Sequence, residues 1–224
     1  MLALLGGGAP QAAEPGEAKR TCIVVFSGNR GLCGGFNAEL LGFFAEILRE
    51  EAEPPLIIAC GRVAEAFCKE RGVEAKSFEL SDIPTYDETL AISSYAGELY
   101  DSGAVARVVL VYQSFKNTLT QTPALRELLP GQNEGEAGEE AGEALLLPDA
   151  ETVRAGLGAL CFNAAVYSIA LENATGAEAA TLMAMRSAYD NAKESALKLE
   201  TAINRQRQAE VTSSVIETAA DNAQ

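Results

Sequence analysis

From Asp149 to Gln224 the chain carries no proline, and the stretch reads as one very long helix. At about 1.5 Å per residue such a helix would run roughly 100 Å, several times the width of a small domain, so a globule preceding it cannot cover it. Alternating steps of three and four residues from Leu157 pass through Leu160, Tyr167, Leu171, Met185, Leu199 and Ile216, a coiled-coil seam sustained over many heptads. Most other seam positions are small, among them Ala164, Ala174, Ala188 and Ala202. Small seam residues bury little area in a self-made zipper and point instead to a specific partner. Glycines at 156, 158 and 176 each cost about 1 kcal/mol inside a helix, and nothing local offsets them. The competing reading is two or three ordinary helices broken near Gly176.

A length of 224 residues allows one ordinary domain plus an extension, and 48% hydrophobic content suits a chain with a real core. The net charge of -15 excludes a nucleic-acid surface, because backbone phosphates would be repelled. Part of the acidity is local: Glu134, Glu136, Glu139, Glu140, Glu143, Asp149 and Glu151 follow one another without an intervening base. Residues 131–143 read as a solvated, disordered loop. The five cysteines form no CxxC pair, so neither a disulfide framework nor a zinc site is indicated. With no histidine anywhere, imidazole catalysis and histidine-ligated metals are excluded for this chain acting alone. No cofactor and no metal is expected. No apolar run reaches the length needed to cross a bilayer. Residues 1–20 read as a leader or the stump of something longer.

Between Thr21 and Leu129 short β-branched runs alternate with helical patterns. Cys22–Phe26, Leu56–Cys60 and Arg107–Phe115 read as strands, with Lys76–Leu80 a short edge strand. Phe36–Glu51, Val63–Arg71 and Asp87–Ser102 read as helices, the first with Leu40, Leu41, Phe44, Ile47 and Leu48 on one face. This alternation predicts an α/β class: a small, doubly wound, mostly parallel sheet domain over 21–148, followed by a long C-terminal helix over 149–224.

Joining the first strand to the first helix is Ser27-Gly-Asn-Arg-Gly-Leu-Cys-Gly-Gly-Phe-Asn37. Its glycines could cradle a phosphate at a helix N-terminus, yet its spacing matches neither the dinucleotide nor the P-loop fingerprint. Arg30 near Cys33 suggests a lowered thiol pKa, although no base is at hand to pair with it. Asn37 is placed to cap the helix. A structural turn and a phosphate site both remain open on these residues alone.

Those same eleven residues carry a resemblance to the gamma subunit of F-type ATP synthases, the central rotor shaft. That family's turn reads S-D-R-G-L-C-G-G-x-N, so Arg30, Gly31, Gly34, Gly35 and Asn37 are matching motif positions. Met183–Val211 is similar to its M-A-M-x-x-A-x-D-N...N-x-x-R-Q-A-x-[IV] run, and Phe115–Pro130 resembles a third, shorter pattern. The resemblance extends in order from Thr21 to the C-terminus. It implies a sheet domain serving as a foot and a C-terminal helix forming half of a coiled coil with an N-terminal helix. About sixty residues of that helix precede the sheet in the family, and this chain has only 1–20 there. A downstream start, a fragment, or a separately supplied helix would each account for that.

The resemblance further implies a non-catalytic subunit of a rotary complex, coupling proton-driven rotation of a membrane c-ring to ATP synthesis. Its partners would be the alpha and beta nucleotide-binding subunits, an epsilon-type subunit, the c-ring and the missing N-terminal helix, with no nucleic acid. It would sit peripherally on the cytoplasmic face of a bacterial inner membrane. Arg207, Gln208 and Thr212 would reach the catalytic head; Leu145, Leu146 and Leu147 would face the ring or the epsilon-type subunit, although an ordinary buried strand accounts for them as well. The alternatives are a Rossmann-like domain binding a phosphorylated ligand and a coiled-coil adaptor.

Overall fold

The computed structural model describes residues 20–130 and 150–221. Five strands alternate with helices in the order β1 (Thr21–Phe26), α1 (Phe36–Glu50), β2 (Leu56–Cys60), α2 (Arg62–Glu70), β3 (Ala75–Phe78), α3 (Tyr86–Asp101), β4 (Arg107–Asn117), β5 (Thr120–Leu129) and α4 (Ala150–Asp221). They form one sheet of order β3-β2-β1-β4-β5. The first four strands run parallel, with Cys22 beside Leu56 and Val108, while β5 returns antiparallel to β4. This is the α/β, mostly parallel architecture expected from the alternation.

The period of two along each strand divides the core between the two sheet faces. Ile23, Val25, Ile57, Ala59, Val109 and Val111 face α1 and α2, meeting Leu40, Phe44, Ala64 and Cys68. Cys22, Val24, Phe26, Ile58 and Leu110 face α3 and α4, meeting Ile92, Ala96, Val166, Ile169 and Ala170. Strands covered on both faces are apolar throughout, which is why CIVVF and LIIAC carry no polar alternation. At the opposite end of the sheet from the turn, Glu51 accepts from Thr21 Oγ1 at 2.9 Å and pairs with Arg107 at 2.6 Å.

One strand was not read from the sequence. The run after Phe115 is a strand, β5, paired along most of β4. Pro123 lies inside it, and β5 is an edge, where a missing N–H costs no ladder bond. Helix α4 is unbroken through Gly176, as the reading of one very long helix expected, and is not divided there into shorter helices.

The chain divides into two compact units, Met1–Thr181 and Leu182–Gln224. Within the first, the buried stripe of α4 is Val166, Ile169, Ala170, Asn173 and Ala179, displaced by about one residue from the predicted seam. The seam's Leu160 is 55% exposed. In the second unit the helix is exposed from Met185 to Ile216.

Candidate functional site: the glycine-rich turn and the long helix

In a parallel α/β sheet, ligands settle beyond the carboxyl ends of strands whose connections depart in opposite directions. Here that point lies between β1 and β4, and two structures meet there: the turn Ser27–Asn37, and α4 around Asn173.

The turn is tied together by side chains. Asn37 is not the cap of α1 but its second residue, and it is buried; Gly35 is the N-cap, without a side-chain cap bond. Asn37 Oδ1 instead accepts from Gly28 N at 3.0 Å, while its Nδ2 donates to Arg30 O at 3.1 Å and lies 3.2 Å from Cys33 Sγ. One carboxamide therefore closes the loop across its base. Asn29 anchors the flank, donating to Leu80 O at 2.7 Å and accepting from Arg62 N at 3.3 Å. The Arg30 guanidinium pairs with Asp82 at 2.5 Å, and the Cys33 thiol donates to the Arg30 carbonyl at 3.8 Å while accepting from Asn37 Nδ2. Gly34 takes φ +61, a Cβ added at Gly31 would meet nothing within 4 Å, and Leu32 stands 78% exposed at φ 63. Below the turn, Ser27 Oγ accepts from Ala64 N at 2.8 Å. Gly61 can carry no side chain there: it has φ +94, and a Cβ would lie 2.6 Å from Ser27 O.

This geometry does not suit a phosphate. The position an anion would take at the start of α1 is approached by the Glu39 carboxylate, whose Oε1 lies 2.7 Å from where a Gly35 Cβ would be. The two clefts bordering the turn enclose about 100 Å³ on the α4 side and about 240 Å³ on the α2 side, where Glu65 and Asp82 stand beside Arg30 and Arg62, both below the ~300 Å³ at which ligand pockets begin. Nor do the thiols offer a nucleophile. Burial pushes Cys22 up to about 12 and raises Cys60 and Cys68 as well, and buried neutral thiols are inert. No cluster of potential metal ligands occurs among the described residues.

On the α4 side, the β1 ladder ends at the Val25–Val111 pair. Beyond it, β4 presents N–H groups on that edge at alternate residues with no strand to receive them. Side chains of α4 receive them instead. Gln113 N donates to Asn173 Oδ1 at 3.1 Å, and Phe115 N donates to Glu172 Oε1 at 2.8 Å, with Ser114 Oγ adding 2.9 Å to the same oxygen. The crevice where a ligand would bind is filled by the chain's own helix.

A model of the ATP synthase family matches residues 5–220. The ATP synthase gamma chain of Rubrobacter xylanophilus is 32% identical over 218 residues, 94% of this chain and 75% of that relative. The gamma chain of Desulforamulus reducens is 34% identical over 222 residues, 97% and 77% of the two chains. This chain belongs to the ATP synthase gamma chain family. It spans about three quarters of the length of these relatives. The same fold occurs in the Tetrahymena thermophila mitochondrial ATP synthase central stalk and c-ring structure, with TM-score 0.61 and 17% identity over 80% of each chain. It occurs again in the Euglena gracilis mitochondrial ATP synthase rotor, with TM-score 0.57 and 20% identity over 87% of this chain and 75% of that one.

Of the motif positions, Arg30 and Asn37 take part in the bonds of the turn and Gly34 takes a positive φ, while Gly31 and Gly35 make no side-chain bond that would set them apart. Arg207, Gln208 and Thr212 are exposed on the second unit of α4. Gln208 and Thr212 share a face one turn apart, where Thr212 Oγ1 donates back to Gln208 O at 2.8 Å. Leu145, Leu146, Leu147 and the acidic run 131–143 lie outside the described residues, as do residues 1–19. Sequence reasoning missed Gln113, Glu172 and Asn173. The one signal available was a glutamine within an otherwise apolar strand, facing a Glu-Asn pair in an apolar stretch of helix.

Proposed function

We propose that this chain is the central-stalk subunit of a rotary F-type ATP synthase, transmitting proton-driven rotation of a membrane c-ring to the catalytic head. The observation carrying this reading is the exposed stretch of α4 in a chain of the gamma family. Leu197, Leu199, Ile203, Val211, Val215 and Ile216 are each more than half exposed along one helix, an apolar surface that calls for a partner. Part of it pairs with a second shaft helix of the kind the resemblance implies, and the rest turns inside a ring of alpha and beta subunits.

The function is mechanical. A shaft shifts its surroundings only if each orientation stabilises a different conformation of the subunit it faces. Arg207 supplies a charge-assisted bond to an acid of the head, and Gln208 and Thr212 supply neutral contacts beside it. The sheet domain over 21–148, with the first part of 149–224 packed against it, is the foot. Leu145, Leu146 and Leu147 face the ring or the epsilon-type subunit. The complex is peripheral, on the cytoplasmic face of a bacterial inner membrane. Consistent with that, no helix among the described residues is long and apolar enough to cross a bilayer. The chain itself performs no catalysis and holds no cofactor.

The test is co-expression with the nucleotide-binding subunits of the same genome, followed by purification through a tag on this chain. A stoichiometric complex that hydrolyses ATP supports the reading. Recovery of the chain alone, with or without a co-expressed N-terminal shaft helix, overturns it.

A further inference from the structure

The junction of α4 with the sheet is apolar at Val166, Ile169 and Ala170 and turns polar at Glu172 and Asn173, beyond the end of β1. At its centre lies Gln113, fully buried in β4. Its main-chain N–H is held by Asn173 of α4, and its Nε2 donates to Phe36 O, the first residue of α1, at 2.8 Å. One turn along α4 from Asn173, Gly176 forms a notch for the Phe36 ring, whose Cε2 would lie 3.0 Å from a Gly176 Cβ. One residue before Asn173, Glu172 Oε1 takes both the Phe115 N–H and the Ser114 hydroxyl. Three elements, α1, β4 and α4, thus meet through directional bonds and one ring-in-notch contact.

Hydrophobic contact is non-directional, so an apolar helix face can slide or roll on a sheet at small cost. Hydrogen bonds lose strength steeply with distance and angle, and a displaced Asn173 would leave two polar groups unpaired in the interior. Carboxylate and carboxamide at consecutive positions of α4 grip backbone donors two residues apart on β4. That fixes both where the helix lies along the strand and how it is rotated about its own axis.

We propose that Glu172 and Asn173 are positioning residues that lock the angular register of α4 on the sheet domain, with the Gln113 side chain tying the gripped strand to α1, so that torque passes between foot and shaft without slip. This rests on the rotor reading above. The burial of Val166, Ile169 and Ala170 beside the lock supplies adhesion; the polar contacts supply register.

The test uses the assembled complex reconstituted into vesicles, measuring ATP hydrolysis and ATP-driven proton uptake per complex. The variants are Glu172→Leu, Asn173→Leu and Glu172→Gln, the last of which keeps an oxygen acceptor for Phe115 N and Ser114. The expected result is that Glu172→Leu and Asn173→Leu lower the protons moved per ATP to less than half the wild-type value, whereas Glu172→Gln keeps most of the ratio. Spin labels at Ser102 and Thr175, both exposed and both in the first unit, report register directly, and their distance distribution should broaden in the Leu variants alone. An unchanged ratio in assembled Leu variants overturns the proposal. Lower yield or heat stability with an unchanged ratio also overturns it, by making the contacts purely structural, as does failure of both Leu variants to assemble. If the wild-type chain itself enters no complex, it is the rotor reading that has failed.

Discussion

Gly176 and Phe36 occupy each other's space: a Cβ on the glycine would lie 3.0 Å from the ring's Cε2, and the ring is only 4% exposed. A glycine that looks like a helix break is the place where α1 approaches α4. Helix propensity favours Gly176→Ala by about 1 kcal/mol, and crowding against Phe36 offsets that gain, so the change should be near neutral. Gly176→Val should destabilise by about 2 kcal/mol through overpacking. Urea unfolding of both variants checks the sign and the order.

Asn37 closes the glycine-rich turn, so Asn37→Ala leaves the Gly28 N–H and the Arg30 carbonyl without their side-chain partner. The expected cost is about 2 kcal/mol, read as a lower unfolding midpoint at unchanged slope. Gly35→Ala should instead displace the Glu39 carboxylate from the start of α1 at little cost, because the new Cβ would meet only the flexible end of that side chain.

The buried thiols set a pH dependence. Cys22 is held up to about 12, and Cys60 is raised also, first by burial and then by the nearby Cys22. A group whose folded pKa is raised stabilises fully below its unfolded value, near 9, and loses that contribution as pH climbs toward the folded value. Unfolding free energy should therefore decline from pH 9 toward 12, less steeply in Cys22→Ala than in wild type. At pH 8, iodoacetamide should label Cys161, which is half-buried, well before Cys22, Cys60 or Cys68; mass spectrometry of the labelled peptides reads the order.

Arg207→Ala should leave the unfolding of the isolated chain within about 0.5 kcal/mol of wild type, since the residue is exposed. In the assembled complex it should slow ATP hydrolysis by about tenfold or more, because a charge-assisted bond is worth about 1.5–3 kcal/mol. Equal turnover in wild type and variant would remove Arg207 from the proposed head contact.

Much of the fold was legible because its signals are local. Strands covered on both faces must be apolar throughout, and CIVVF, LIIAC and VVLVY are. The turn motif was legible as a segment, but not its inner bonding: Asn37 spends its amide on residues seven and nine positions back rather than on the helix it begins. β5 was not read from the sequence, and Pro123 within it is acceptable only because the strand is an edge. The seam of α4 was read one residue away from the buried stripe, since one helix serves two faces and a single period cannot separate them. Gln113, Glu172 and Asn173 were invisible for a related reason. Their meaning depends on β1 ending at Val25–Val111 and leaving N–H donors for α4 to receive, a fact of three-dimensional pairing.

The most direct measurement is rotation. A gold rod fixed to the sheet domain through a cysteine at Asp101, exposed at the end of α3, in a Cys161→Ala background, would be watched while the immobilised head hydrolyses ATP. The account predicts ATP-dependent rotation in one direction that stops when ATP is removed. A rod that stays still while the same complexes hydrolyse ATP would contradict it.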